Sequence, residues 1–152
     1  MLIGVLSDTH GLLGAEVLEL FKGVDHIIHA GDIGTPQVLS ALESLAPVTA
    51  VRGNTDNDAW SESLPVREMV MLGGVCFYIL HDLQRLDLEP LAAGVRAVIS
   101  GHTHQPETKH SRGVLYFNPG SASHRRQGGP LSVGRVRISG KGLHSEILHL
   151  NV

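Results

Sequence analysis

Short apolar runs that each end in a polar, glycine-containing loop recur along this chain, and that rhythm restricts its fold more than any other feature. Leu2 to Leu6 is apolar throughout, as a strand buried on both faces must be, and it stops at Ser7-Asp8-Thr9-His10-Gly11. Val17, Leu18 and Phe21 then fall on one helical face, with Gly23 as a stop. His26-Ile27-Ile28-His29 reads as the next strand, ended by Ala30-Gly31-Asp32. Thr35-Pro36 has the chemistry of a helix start, followed by the stripe Val38, Leu39, Leu42 and Leu45. Val48 to Val51 makes a third strand, ending at Gly53-Asn54. A β-α-β-α-β order with right-handed crossovers makes these strands parallel and brings Asp8, Asp32 and Asn54 to one rim of the sheet.

Downstream, Gly73-Gly74 between the runs Arg67–Leu72 and Val75–Leu80 predicts a hairpin, so part of the sheet structure is antiparallel. A short helix is expected around Leu88 to Ala93, then a strand Ala97-Val98-Ile99 that ends at Ser100-Gly101-His102-Thr103-His104. Val114 to Phe117 leads into Asn118-Pro119-Gly120-Ser121, and Leu131–Ile138 and Leu143–Leu150 alternate like paired edge strands. Gln127-Gly128-Gly129-Pro130 reads as a loop. With no linker, charge run or repeat, residues 1–152 are expected to form one domain of two facing sheets flanked by helices.

Composition narrows the function classes. A net charge of -3, from 15 acids against 12 bases, gives no footprint for gripping a polyanion, so nucleic-acid binding is not expected. Ten histidines and eighteen glycines point instead to a metal enzyme, histidine being the commonest metal ligand and glycine the residue of tight turns. The single Cys76, in an apolar run, leaves no disulfide framework and is expected to be a buried thiol. The first six residues are too few for a signal peptide or membrane span, so a cytoplasmic protein without a membrane partner is expected.

Five separate strand ends deliver a carboxylate, an amide oxygen or an imidazole, and open α/β sheets bind ligands outside the carboxyl ends of their strands. Asp8 and His10 are two apart, as are His102 and His104, which in extended chain turns both side chains of a pair to one side. With Asp32 as a bridging carboxylate, Asn54 as an amide oxygen and His81 as a further imidazole, two cations roughly 3.5 to 4 Å apart would share the cluster. A nitrogen and oxygen set without sulfur favours manganese, iron or zinc in five- or six-coordinate sites over a closed structural zinc. Each motif alone has an ordinary turn or cap reading; their joint order is what points to a metal site.

Asp-x-His, Gly-Asp, Gly-Asn, His and Gly-His-x-His, in this order from Asp8 to His104, resemble the calcineurin-like metallophosphoesterase superfamily. Chain length and Asn118-Pro119-Gly120-Ser121 are similar to its small prokaryotic phosphodiesterase branch. The resemblance implies a four-layer α/β/β/α sandwich of two mixed sheets flanked by helices, with the metal site at strand C-terminal ends. It implies two divalent ions, manganese as first choice with iron, zinc or nickel as alternatives. Asp8, His10, Asp32 and His104 would hold one ion, and Asp32, Asn54, His81 and His102 the other. A metal-bridging hydroxide would be the nucleophile and a small phosphate ester the substrate. Independently of the resemblance, Asn54, Asp56 and His81 are the residues expected to act in the reaction itself. A homo-oligomer is consistent with the resemblance.

Two positions depart from the family pattern. Many relatives carry a histidine directly after the motif asparagine, where it protonates the leaving group; this chain has Thr55, then Asp56, which is free to orient a ligand or a water. Asp82 follows His81 where relatives often have glycine. Asn118 and Ser121 read as residues that fix a turn beside the site, and His124-Arg125-Arg126 as an exposed basic loop or a contact for an anionic substrate. His26, His29, His110, His144 and His149 read as strand or surface residues. The rival functions are a phosphomonoesterase or nucleotide hydrolase, which the same two-metal core would serve, and a non-catalytic protein-interaction scaffold that retains its metals.

Overall fold

The computed structural model describes residues 1–125, 128–140 and 142–151. Arg126 and Gln127, included above in a basic loop and a glycine-rich loop, lie outside the described residues. The elements run β1 (Leu2–Leu6), α1 (Ala15–Leu20), β2 (His26–His29), α2 (Pro36–Glu43), β3 (Val48–Ala50), β4 (Arg67–Leu72), β5 (Val75–Leu80), β6 (Ala97–Ile99), β7 (Glu107–Ser111), β8 (Val114–Asn118), β9 (Ser132–Ser139) and β10 (Gly142–His149).

They form two five-stranded mixed sheets, ordered β10-β9-β1-β2-β3 and β4-β5-β6-β8-β7. The β-α-β-α-β reading holds: β1, β2 and β3 are parallel, with Val5 opposite Ile28 and Ile28 opposite Thr49. β4 and β5 form the antiparallel hairpin expected around Gly73-Gly74, and β5, β6 and β8 are parallel.

The sheets face each other across Ile3, Val5, Ile28, Val51, Phe77, Ile79, Ile99 and Phe117, all essentially inaccessible to solvent. Burying an aliphatic or aromatic side chain of this size contributes roughly 1.5–3 kcal/mol, so this inner layer holds the sheets together. On the outer face of the first sheet, Val17 and Phe21 at the end of α1 and Val38 and Leu42 of α2 pack against Leu6, Ile27 and Val133. Thr35 caps α2 with its backbone only, Pro36 opening the first turn.

The outer face of the second sheet is covered more thinly. Tyr78, Leu80, Val98 and Val114 pack against Leu86 and Leu88 of a segment that has only a 3-10 turn at Leu83–Arg85. The helix expected around Leu88 to Ala93 is not formed. The chain there makes turns, with Ala93 N donating to Glu89 O and Val95 N to Pro90 O, and Gly94 at φ 79°. Pro90 supplies no N–H, and so short a segment cannot repay helix nucleation. The fourth layer of the sandwich is therefore turn and 3-10 structure rather than α-helix. Cys76 is half-buried at its edge rather than buried. Among the described residues, no helix is long and apolar enough to cross a membrane.

Candidate metal centre

The loops after β1, β2, β3, β5 and β6 meet at one rim of the sandwich, the first three from one sheet and the last two from the other. They carry, in that order, Asp8 with His10, Asp32, Asn54, His81, and His102 with His104. Backbone geometry marks them out. Among the described residues six that are not glycine have a left-handed φ, and five of them are Asp8 (58°), His10 (47°), Asp32 (55°), His102 (73°) and His104 (63°). Such conformations cost about 1–3 kcal/mol each and persist only where the surroundings dictate them.

The surroundings do dictate them. Asp8 N, His10 N and Gly11 N donate to Gly31 O, Asp32 O and Ile33 O, tying the first loop to the second. Behind them Thr9 Oγ1 donates to Ile33 O and lies 3.0 Å from His29 Nε2, while Gly31 N donates to His29 Nδ1 at 3.1 Å. A ring that accepts at Nδ1 carries its proton at Nε2, so His29 is neutral, and its complete burial pushes it down to about 4. Asp56 anchors the third loop. Its Oδ1 accepts from Ile33 N and Gly34 N, and its Oδ2 from Ile33 N and Gly53 N, all within 3.1 Å. Asp56 was expected to orient a ligand or a water; the structure commits its buried carboxylate to backbone amides, which makes it a positioning residue.

The fourth side of the cradle comes from the segment after β8. Asn118 Nδ2 donates to Gly101 O and Thr103 Oγ1, fixing the loop that bears His102 and His104. Ser121 Oγ donates to Asp8 O at 3.1 Å, and Ala122 N to Ser7 O. Asn118 and Ser121 thus do what a turn-fixing pair beside the site should do. Gly101 must lack a side chain, since a Cβ there would collide with Ser7 Oγ and Asp8 Oδ2.

Donor atoms of these loops converge. Asp8 Oδ1 lies 3.2 Å from His104 Nε2 and 3.8 Å from both His10 Nε2 and His81 Nε2. Asp32 Oδ2 lies 3.2 Å from His81 Nε2 and 3.8 Å from His10 Nε2. Two groups have mutual spacings suited to one ion each, Asp8-His10-His104 and Asp8-Asp32-His81. Beside them His102 Nδ1 is 3.2 Å from Asn54 Oδ1, so the last two sequence-identified residues face the same space. All seven are brought together.

The electrostatics fit a cation site. Burial pushes the Asp8 carboxyl up, but His10, His81 and Ser7 more than offset it and hold the group below the ordinary carboxylate range. Burial likewise opposes ionisation of Asp32, which His81 and the Thr55 amide hold far below that range. Asp8 beside His10 holds that imidazole above its ordinary value; burial pulls His81 down, but Asp32 and Asp8 raise it further. Yet Asp8 Oδ1, His10 Nε2 and His81 Nε2 are buried without a hydrogen bond. His81 donates from its other nitrogen, Nδ1 to Ala30 O at 2.8 Å, so that in the neutral ring the lone pair lies on Nε2, aimed at the carboxylates. Lone pairs converging at 3–4 Å without hydrogen bonds are the signature of ligands around a cation, and the residues present fit divalent metal.

A cleft of about 230 Å³ opens over the cluster, lined by His10, Asp32, Asn54, Thr55 and His102, with His124 and Arg125 at its side. The placement of His124 was not legible beyond its basic neighbours, because the turn that brings it here is held by bonds to Asp8, in the loop after β1 more than a hundred residues earlier.

Together, a two-sheet α/β scaffold and a nitrogen and oxygen cluster on its strand ends define a metal-dependent hydrolase. Residues 1–141 match the calcineurin-like phosphoesterase superfamily domain, and the chain belongs to that superfamily. It is 37% identical to a probable metallophosphoesterase of Methanothermobacter thermautotrophicus over 97% of this chain and 92% of that protein. It is 29% identical to the phosphodiesterase YfcE of Escherichia coli strain K12, over 86% of this chain and 84% of that one. The solved structure of an archaeal phosphodiesterase superposes with a TM-score of 0.81 at 26% identity, covering 97% of this chain and all of the other. The protein is thus a metal-dependent phosphoester hydrolase.

Proposed function

We propose that this chain is a phosphodiesterase of small substrates working with two divalent cations, manganese foremost, and a hydroxide between them as nucleophile. The observation that carries the reading is the set of buried, unbonded donor atoms, Asp8 Oδ1, His10 Nε2 and His81 Nε2, facing one another with Asp32 alongside. Asp8, His10 and His104 are assigned to one ion and His81, His102 and Asn54 to the other, with Asp32 between. When bound, the cations supply a water of lowered pKa, orient the ester and offset charge on the phosphoryl oxygens. The residues of the chain do the rest. Ala30 O fixes the His81 ring by accepting its Nδ1 proton, the Thr55 amide fixes Asp32, and Asp56 sets the distance between the second and third loops.

Thr55 has no proton to give a leaving group at neutral pH, so the reaction depends on leaving groups that depart as anions. Aryl phosphodiesters are therefore expected to be cleaved at least about 100-fold faster than alkyl ones, the size of a missing general acid. Equal rates on both would show that an acid is present after all.

The test is hydrolysis of bis-p-nitrophenyl phosphate and p-nitrophenyl phosphate by metal-stripped protein titrated with Mn²⁺, beside His102→Ala and Asn54→Ala. Metal-dependent cleavage that prefers the diester and is lost in both variants supports the reading. Preference for the monoester would make it a phosphomonoesterase, and stoichiometric metal binding without turnover would make it a scaffold.

A further inference from the structure

The mechanism above leaves one side chain of the cleft unused. His124 is exposed, and its ring centroid lies 5.0 Å from that of His10 and 5.7 Å from that of His104. It lines the same cleft as Asp32, Asn54, Thr55 and His102. Unlike the rings beside it, it belongs to neither group of converging donors. Its ring nitrogens make no hydrogen bond among the described residues, whereas its backbone is firmly held. His124 N donates to Ser121 Oγ at 2.9 Å, and Ser121 Oγ in turn donates to Asp8 O at 3.1 Å. The intervening Ser123 Oγ donates to both Asp8 O, at 3.3 Å, and Thr9 O. The turn bearing His124 is thus stitched to the backbone of the residue at the centre of the metal cluster. A solvent-facing loop residue with no role would not require such stitching, and an imidazole held at the mouth of a cation site with a free N–H suits an anion bound there.

We propose that His124 is a substrate-contacting residue whose imidazole N–H donates to a phosphoryl oxygen of the bound ester. The inference rests on the metal-dependent phosphoesterase reading given above. It does not depend on the charge of the ring, because neutral imidazole also carries one N–H. It places the contact on the non-leaving phosphoryl group, so its removal weakens aryl and alkyl substrates alike, and with them inorganic phosphate, which presents the same phosphoryl oxygens. One hydrogen bond to a charged partner corresponds to about a 10- to 100-fold change in affinity.

The experiment is calorimetric titration of inorganic phosphate into Mn²⁺-loaded wild type, His124→Ala and His124→Gln, with metal content, melting temperature and kinetics on aryl and alkyl diesters measured for each. His124→Ala is expected to bind phosphate about 10-fold or more weakly, with metal content and melting temperature unchanged and both diesters slowed by the same factor. His124→Gln, which keeps an N–H donor, is expected to recover most of the loss. Unchanged phosphate affinity in His124→Ala would overturn the proposal. So would a loss of bound metal, which would make His124 a metal ligand, or a loss confined to alkyl substrates, which would make it a leaving-group donor. If wild type itself binds metal but neither binds phosphate nor turns over, the phosphoesterase reading has failed, and this inference with it.

Discussion

The buried side chain of Asp56 is held by backbone amides, with Ile33, Gly34 and Gly53 all donating to it. Asp56→Ala would leave those amides without partners and cut the link between the loops of Asp32 and Asn54. It is expected to destabilise the metal-free protein by about 3 kcal/mol and to weaken metal binding by about 10- to 100-fold. Urea unfolding and metal titration check this, and a loss below about 1 kcal/mol would show that the loops stand without it. His29 offers a pH test. The unfolded chain takes a proton there near pH 6.5, the folded chain only near 4, so between these values falling pH favours unfolding. The contribution has a slope of up to about 1.4 kcal/mol per pH unit and is complete above pH 6.5. His29→Gln is expected to show a shallower loss of stability than wild type between pH 6.5 and 4, the site carboxylates and imidazoles being common to both. Equal slopes in urea unfolding across that range would show that His29 titrates normally when folded. The seven residues that converge at the rim were legible because each stands at a strand end in a short motif. The work of Asp56 and the Thr9–His29 pair was not, because their partners lie on other loops some twenty residues away.

Glycine separates two kinds of loop. Gly94 ends the turn after Pro90 at φ 79° with open space around it, so Gly94→Ala meets only backbone strain, about 1 kcal/mol, and leaves the metal site intact. In Gly101→Ala the new methyl group would displace Ser7 and Asp8. That variant is expected to lose about 1–3 kcal/mol and, unlike Gly94→Ala, at least about 10-fold in metal affinity. Thermal melts with metal titrations on the pair check the contrast, and equal metal affinity in the two would refute it. Elements with an apolar pattern were readable in the same way. β1, β5 and β6 are apolar because they are buried, β2 is recognisable by Ile27 and Ile28, and β9 and β10 carry apolar residues to the inner core through Val136 and Ile147 and to the outer cluster through Val133 and Leu148. β7 was missed: Glu107-Thr108-Lys109-His110-Ser111 is an exposed edge strand, recruited by pairing with β8 rather than by burial of its own. The 3-10 turn Ala59–Ser63 was missed too, being held by Ser61 Oγ donating to the carbonyls of Asp56 and Asp58. The helix expected around Leu88 to Ala93 is absent because Leu88 packs against the cluster of Tyr78, Leu80 and Val98 from a segment of bends and turns.

The candidate centre draws Asp8, His10, Asp32 and Asn54 from one sheet and His81, His102 and His104 from the other, across the rim of the inner core. Ions held there would tie the sheets together, adding to the contacts of Asp8 with His81 and His104 and of Asp32 with His81 that already cross between them. If the whole chain unfolds as one unit, as we propose, metal bound to the folded state alone raises its stability by about 4 kcal/mol at 1,000 times the dissociation constant. Calorimetric melts of metal-stripped protein are then expected to show one transition that moves up as Mn²⁺ is added, by several degrees or more for a domain of this size. In His81→Ala, which removes a ligand of the second sheet, the shift should shrink although His10 and His104 remain. Two transitions, only one of them sensitive to metal, would mean that the ions serve a single sheet. A shift undiminished in His81→Ala would mean that the two sheets do not share the centre.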